Sequence, residues 1–431
     1  MTGVKAIRAQ FESARSSAEG PRSVWSAVGL VGSSVAMALT VFVLARQLGT
    51  ANYGVYAGIS ALVLLAATFG GMGTRQVLLQ RVTRDRGELP RAWGVLLAAN
   101  VVVGVPLVAA TVGLASILLP GQDLVSVTLI AVAEFISAGL LKGPATAWVA
   151  LDRFPLVAAV NIFDAVLRLV AALSLLVWSA DVRTLAIALT IVMCIGSIVV
   201  NLALGRTAGR PQVVVAELVD GCRKGAPFSV AAVSTAVQSN IDQFMLLRAR
   251  LEVDAGLYAL GVRFIGYSML PLHSLMSATV PEFYRRGHSG VGEGLRYGRR
   301  MAPIIAAISI GGAVVAVALA SPIGRLFGDQ FDGVFAVVLA LSLFPLIRSM
   351  QTLVGSALLG SGHQSVVARV GLATAALNVA LNVPLIPWLG WWGAVVATYV
   401  SEIVKLAVLW AAARRLRHER EVGPGLAAPA A

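Results

Sequence analysis

The sequence predicts an all-α polytopic membrane protein of about 12 transmembrane helices, arranged as two parallel six-helix bundles. Three observations predict this class. The chain is 58% hydrophobic and only 13% charged, whereas soluble domains are near 45–50% apolar and ~25% charged. Apolar runs of membrane-spanning length follow one another along most of the 431 residues. The basic residues collect on one side of the topology that these runs define.

Each predicted span rests on an apolar run, because a bilayer core about 30 Å thick requires about 20 apolar residues per helix. The runs predict spans at residues 25–45, 53–72, 92–119, 124–141, 155–178, 184–204, 227–247, 256–280, 301–320, 333–359, 365–386 and 391–413. They leave no room for a sizeable soluble domain. The spans group into bundles at residues 24–204 and 227–413, joined by a cytoplasmic linker at 205–226. Residues 1–23 form a surface helix or a polar tail, and residues 414–431 form a second tail.

The net charge of +13 does not indicate nucleic acid, because of where the basic residues lie. Of the 34 Lys and Arg residues, 25 fall on the side of the termini, counting Arg369 near the start of the span at 365–386, five fall on the opposite side, and four lie deeper inside spans. This asymmetry obeys the positive-inside rule and predicts that both termini are cytoplasmic. All eight Trp residues lie near span ends, as in an aromatic belt. The expected partner of this surface is therefore the lipid bilayer.

The two halves carry similar short sequences. Gly54-Val-Tyr-Ala follows RQLGTANY in span two, and Gly256-Leu-Tyr-Ala follows RARLEVDA in span eight. Six spans in each half give both copies the same orientation, so the sequence predicts parallel repeats. The small residues from Gly54 to Gly58 would also let another helix approach closely.

Several motifs, in their order and spacing, resemble the polysaccharide (lipid-linked oligosaccharide) flippase family, which is related to MATE exporters within the MOP superfamily. They are LARQLGTANYGVYA, NIDQFML, GLYALGVRF, LFGDQF, ALLGSGHQ and WLGWWGAVVATYVSE, and they extend over nearly the whole chain. The resemblance implies a V-shaped pair of bundles around a central cavity. It also implies alternating-access transport of a polyprenyl-pyrophosphate-linked glycan to the outer leaflet of a bacterial cytoplasmic membrane. Polysaccharide synthesis and polymerisation proteins would be possible partners. Lipid II flippases typically add two helices and an arginine-rich first span, and this chain shows neither.

Charges inside the predicted spans are the candidate functional groups. A charge at the centre of a transmembrane helix costs roughly 2.5–3.5 kcal/mol, so it usually faces a partner or water. Asp242 in span seven and Arg263 in span eight each lie about 11 Å below the same surface. Two interpretations stay open. The pair fixes helix packing, or Arg263 attracts the substrate pyrophosphate while Asp242 holds or releases it as access changes.

The other charges divide by their spacing. Asp164 and Arg168 are four residues apart, and Glu402 and Lys405 are three apart, so each pair can neutralise itself on one helix face. A substrate or coupling role stays open for them. The remaining two, Arg348 and Glu134, have no such partner in sequence.

Arg348 is therefore the best candidate for an unpaired contact to an anionic head group. Glu134 either accepts a proton or cation during transport or simply stays protonated. The candidate substrate-binding cations are Arg263, Arg348 and Arg168, and the candidate gating or coupling groups are Asp242, Glu134, Asp164, Glu402 and Lys405. Five asparagines are predicted to link helices by hydrogen bonds: Asn161, Asn201, Asn240, Asn378 and Asn382.

The sequence is less consistent with two other functions. A cation-coupled drug exporter on the same fold would prefer a net acidic cavity, whereas the predicted spans hold four acids and four bases. A glycan polymerase or glycosyltransferase needs a catalytic cluster on a substantial outer loop. The longest such loop, SPIGRLFGDQFDG, offers only Asp329 and Asp332. The chain has no metal-ligand spacing, cofactor fingerprint or nucleophile motif, so neither a metal, a cofactor nor an enzymatic activity is predicted.

Overall fold

A computed structural model describes residues 19–322 and 326–422. Within these ranges the regular elements are all helical, which confirms the predicted all-α class. Most of the predicted N-terminal segment 1–23 lies outside the described residues, as do Arg325 and the end of the predicted tail 414–431. The described part of that tail continues the last helix to Val422.

Nine helical stretches among the described residues are long and apolar enough to cross a membrane. The first of them, Val24–Ala67, has 44 residues, about twice the length that one crossing requires. The predicted spans at 227–247 and 256–280 are not among the nine. A multi-pass architecture is therefore present, and the number of twelve spans stays a prediction.

Contacts divide the chain into two compact units. One consists of Met1–Leu48 with Leu62–Ala232, and the other of Gly49–Ala61 with Val233–Ala431. Helix α1 (Glu19–Ala67) contributes to both units, with its only non-helical backbone at Gly49, where φ is 71°. Glycine tolerates this left-handed value because it has no Cβ. The predicted turn RQLGTANYG is thus reduced to a one-residue break.

The first unit continues from α1 through six further helices. These are α2 (Thr74–Arg84), α3 (Leu89–Leu118), α4 (Leu124–Ile136), α5 (Lys142–Ala150), α6 (Phe154–Leu173) and α7 (Val182–Ala208). A π-helical turn, Ser137–Leu141, joins α4 to α5, so predicted span four runs on beyond residue 141. Apolar side chains such as Ile130, Leu185 and Met193 are fully buried between the helices.

The predicted linker at residues 205–226 is largely helical. Helix α7 continues to Ala208, and α8 (Val215–Arg248) begins only seven residues later. Arg81 of α2 holds the start of α8 through ion pairs with Glu217 at 3.0 Å and Asp220 at 3.1 Å. The sequence predicted only a polar connection here. The ion pairs that Glu217 and Asp220 form with Arg81 explain why the segment is an ordered helix.

The second unit contains part of α1, the second part of α8 from Val233 onward, and seven further helices. These are α9 (Glu252–Ser268), α10 (Leu270–Gly287), α11 (Val291–Ala320), α12 (Val334–Leu341), α13 (Phe344–Gly360), α14 (Gln364–Leu389) and α15 (Trp391–Val422). Predicted spans eight and ten are each broken into two helices, and Pro271 and Pro345 are the second residues of α10 and α13. Proline lacks the backbone N–H that would continue the helix, which accounts for both breaks.

The two repeated glycine motifs pack directly against each other within the second unit. A Cβ on Gly54 would lie 1.9 Å from the carbonyl oxygen of Glu252, and one on Gly256 would lie 2.1 Å from that of Thr50. Gly58 faces Leu247 in the same contact. The expected close approach of a helix to Gly54 and Gly58 is therefore confirmed, and the approaching segments come from α8 and α9.

Replacing Gly54 by alanine should force these backbones apart. We expect Gly54→Ala to destabilise the protein by about 1–3 kcal/mol, the usual cost of overpacking a well-packed contact. Gly104→Ala is the matched control, because nothing lies within 4 Å of the Cβ it adds. The measurement is the thermal unfolding midpoint of both variants in detergent. Equal midpoints would contradict the close-packing argument.

Candidate functional site

In the first unit, four charged side chains form one network. Arg168 on α6 donates from both terminal nitrogens to the two carboxylate oxygens of Glu134 on α4, at 2.6 and 3.0 Å. Asp164, one turn earlier on α6, lies 3.6 Å from Nε of Arg168 and 3.4 Å from Nζ of Lys142 on α5. The network has two acids and two bases, so its formal charge is balanced.

Two expectations are decided by this network. The predicted Asp164–Arg168 pair is confirmed. The expectation that Glu134 is alone is wrong, because its bidentate partner lies 34 residues away on another helix. Pairing between helices depends on how the helices face each other, which spacing along one helix does not reveal. A substrate-binding role for Arg168 and coupling roles for Glu134 and Asp164 stay predictions.

In the second unit, Arg348 is paired. Its Nη1 donates to Oε1 of Glu402 at 2.9 Å, which joins α13 to α15. Gln351, one turn further on α13, donates to the backbone oxygen of Glu402 at 2.6 Å. The expectation that Arg348 is an unpaired cation is therefore wrong. Oε2 of Glu402 is buried and has no hydrogen-bond partner among the described residues.

Lys405 does not pair with Glu402 in the part of the chain that the structure describes. Its ammonium group instead donates to Oε1 of Gln238 on α8, at 2.8 Å. The amide nitrogen of Gln238 donates in turn to the backbone oxygen of Gly371 on α14, at 3.2 Å. The expected i,i+3 pair is therefore not formed, and Lys405 instead contacts a neutral amide on another helix.

Asp242 is buried among neutral donors. Its Oδ2 accepts hydrogen bonds from the hydroxyls of Tyr258 and Thr398, at 2.7 and 3.0 Å, and its Oδ1 accepts one from the amide of Asn382 at 2.6 Å. Asn382 also donates to Oδ1 of Asn378 at 3.2 Å. The prediction that asparagines link helices is confirmed here for Asn382, whereas Asn240 donates to the backbone oxygen of Ala236 on its own helix. The part played by Tyr258 and Thr398 was not predicted, because hydroxyl residues are common in spans and give no distinct signal.

Arg263, on α9, is not part of the hydrogen-bond network around Asp242. It lies beside the hydroxyl groups of Tyr53 and Tyr267. Its side chain is exposed, and no described carboxylate is within ion-pair distance. The possible Asp242–Arg263 pair is therefore not formed among the described residues. Equal depth below a surface does not fix the direction in which a side chain points around its helix. The tyrosines of this contact were visible only as parts of the repeated motif.

The charges of the second unit do not balance. Within the predicted spans, its described residues include the carboxylates Asp242 and Glu402 and the cations Arg263, Arg348 and Lys405. Glu402 neutralises Arg348, and Asp242 is bound by neutral groups. Arg263 therefore combines positive charge, exposure and neutral neighbours, which makes it the cation best suited to contact an anionic ligand.

An apolar groove of about 500 Å³ lies between α11, α13 and α15 of the same unit. Its walls include Ala302, Leu353, Leu406 and Trp410. Two guanidinium groups stack on the Trp410 ring at one end, that of Arg299 at 5.8 Å and that of Arg414 at 5.1 Å from the ring centre. An apolar groove with basic side chains at one end suits a lipid chain that is attached to an anionic group.

This architecture defines a class of protein. An inward-facing multidrug resistance MATE family transporter of the MOP superfamily is similar, with a TM-score of 0.69 and 15% identity over 92% of this chain and 99% of that one. An outward-facing member gives 0.57 and 15% over 90% and 96%. A eukaryotic MATE transporter gives 0.54 and 14% over 93% and 97%. The chain is thus a multi-pass membrane protein with the MATE transporter fold.

The family follows from the sequence itself. The profile of the family described as "Polysaccharide biosynthesis protein" matches residues 23–285, which is more than half of the chain. The chain belongs to this family. No curated protein sequence matches it significantly. The resemblance drawn from the short motifs is confirmed for the polysaccharide biosynthesis family, and the solved structures confirm the relation to MATE transporters at the level of the fold.

Proposed function

We propose that this protein is a flippase that moves a polyprenyl-pyrophosphate-linked oligosaccharide from the cytoplasmic to the outer leaflet, by alternating access, for cell-surface polysaccharide assembly. The single observation that carries the proposal is Arg263, an exposed cation with no carboxylate partner among the described residues. The membership of a polysaccharide biosynthesis family supports the glycan, and the MATE fold supports transport.

Arg263 suits a pyrophosphate for chemical reasons. A guanidinium group presents several N–H donors in a planar fork that matches phosphate oxygens. The neighbouring hydroxyls of Tyr53 and Tyr267 can donate to the same anion, and the Tyr267 hydroxyl is buried without a hydrogen-bond partner among the described residues. The anion would thereby provide the charge that the second unit lacks. The apolar groove between α11, α13 and α15 supports a lipid-linked rather than a soluble substrate.

Asp242 is the group that we propose for coupling. It is a buried carboxylate held by three neutral donors, so a proton or a cation could bind it without breaking an ion pair. The same observation favours the second candidate function, a cation-coupled exporter of small molecules. The two functions differ in the charge of the substrate that Arg263 would contact.

The test is translocation in vesicles reconstituted with the purified protein. A polyprenyl-pyrophosphate oligosaccharide is placed in the inner leaflet, and its exposure is scored by an external glycan-modifying enzyme. Protein-dependent exposure would support the flippase. No exposure with folded protein and several glycans, together with proton- or sodium-dependent uptake of a cationic dye, would instead favour the exporter. The bacterial cytoplasmic membrane, cytoplasmic termini and contacts with polysaccharide synthesis and polymerisation proteins remain parts of this proposal.

A further inference from the structure

Besides the apolar groove of the second unit, the structure contains a polar cavity. This cavity lies wholly within the first unit, where α1 ends and α2 begins. Its volume is about 260 Å³, below the range of pockets that enclose drug-sized ligands. The side chains of Thr68, Arg75, Asn100 and Ser229 contribute to its wall together with the glycine-rich turn of residues 70–73. No Asp or Glu is among the described residues that line it. The cavity therefore has room for a small polar group and no acid to repel an anion.

Irregular backbone keeps this cavity open. Helix α1 ends at Ala67, and residues 68–73 form turns before α2 begins at Thr74. Gly73 has a φ of 68°, and a Cβ on it would lie 2.1 Å from the carbonyl oxygen of Gly225. A Cβ on Gly139 would lie 1.5 Å from Oδ1 of Asn100, so that wall also requires glycine. Irregular backbone at the end of a span is tolerated where it is buried in protein or lines a water-filled cavity.

Arg75 differs from Arg81 of the same helix. Arg81 is occupied by Glu217 and Asp220, whereas Arg75 has no carboxylate partner among the described residues. The Arg75 side chain is accessible to water, yet the surrounding protein desolvates it enough to lower its pKa from the ordinary value. A guanidinium group nevertheless stays protonated at neutral pH. Arg75 is thus a cation that lines this cavity and has no counter-charge among the described residues.

Ser229 provides an independent indication that a ligand binds here. Its residue is only 4% exposed, and its hydroxyl has no hydrogen-bond partner among the described residues. A buried hydroxyl left unpaired costs about 1–3 kcal/mol, so such groups usually have a partner. The first turn of α2 adds the partial positive charge of a helix N-terminus beside the same cavity.

We propose that this cavity binds a phosphate group, held by the guanidinium of Arg75 and the hydroxyl of Ser229, with the partial positive charge of the α2 N-terminus beside it. The phosphate belongs either to the head group of a membrane lipid or to a soluble phosphate compound. The site consists of residues of the first unit, whereas Arg263 belongs to the second, and this proposal does not depend on the proposed transport function.

The test measures binding to the purified full-length protein in an uncharged detergent at constant ionic strength. The probes are inorganic pyrophosphate and geranylgeranyl diphosphate, which represent the soluble and the lipid source. We expect saturable binding of at least one probe. Loss of one charge-assisted contact in Arg75→Gln should weaken it about tenfold or more, and Ser229→Ala should weaken it severalfold. Binding of both probes would support a site for the phosphate group itself, and binding of geranylgeranyl diphosphate alone would assign it to a lipid head group.

The matched control is Arg84→Gln, which removes an exposed arginine at the other end of α2. Each variant is also measured in an Arg263→Ala background, so that binding at the proposed transport site does not hide the effect. The proposal is overturned if neither probe binds saturably in that background. It is equally overturned if Arg84→Gln weakens binding as much as Arg75→Gln, because the attraction would then be a general effect of basic charge.

Discussion

Arg263→Ala is expected to reduce glycan translocation by about 10- to 100-fold or more while leaving membrane insertion and thermal unfolding close to those of the unaltered protein. The reduction corresponds to the roughly 1.5–3 kcal/mol of a hydrogen bond to a charged group. Stability should be retained because Arg263 is exposed and has no described carboxylate partner that would be left unpaired. The measurement is the vesicle assay, accompanied by an unfolding curve for each variant.

Two further variants sharpen this result. Arg263→Lys keeps the charge but loses the planar fork, so part of the activity should remain. Arg248→Ala removes an exposed arginine from the end of α8 and should leave translocation unchanged. Full activity of Arg263→Ala would remove the anion-contact role of this residue and with it the main support for an anionic substrate.

Arg348 provides the contrast, because its substitution should act through stability. Removing Arg348 leaves the buried carboxylate of Glu402 without its partner, and breaking a buried ion pair typically costs 3–5 kcal/mol. A second substitution, Glu402→Gln, should restore folding. A loss of transport in Arg348→Ala therefore indicates a role in transport only if the double variant Arg348→Ala/Glu402→Gln folds and also loses transport.

The helices could largely be predicted from the sequence because a bilayer imposes a strong one-dimensional constraint. An apolar run of about 20 residues has few alternatives to a helix, since unpaired backbone groups are not tolerated in lipid. Predicted span 391–413 accordingly falls within α15, and predicted span 92–119 matches α3 except for its last residue. The breaks were harder to place. Pro271 and Pro345 lie within continuous apolar runs, and hydropathy alone does not show that the helix stops before them.

The pairing of charges could be predicted only where both partners share a helix. Asp164 and Arg168 met that condition, because a spacing of four residues fixes both depth and direction. Glu134 with Arg168 and Glu402 with Arg348 lie on different helices, and their contacts depend on rotation and packing that spacing does not encode. Arg75 was missed for a related reason. In sequence it is one of several basic residues after span two, and only the cavity around it distinguishes it from Arg81.

The second large effect is expected at the Glu134–Arg168 pair. The Glu134 side chain is 8% exposed, so Arg168→Leu should leave its carboxylate buried without its bidentate partner, while Asp164 keeps Lys142. The expected cost is about 3–5 kcal/mol in the free energy of unfolding. The double variant Glu134→Leu/Arg168→Leu should recover most of this free energy, because replacing a whole buried ion pair by apolar groups is often nearly neutral.

The measurement is denaturant unfolding in detergent. A double variant no more stable than Arg168→Leu would contradict this account of the Glu134–Arg168 pair. A stable double variant that still translocates glycan would identify the pair as structural, whereas a stable one that does not would place it in the transport cycle.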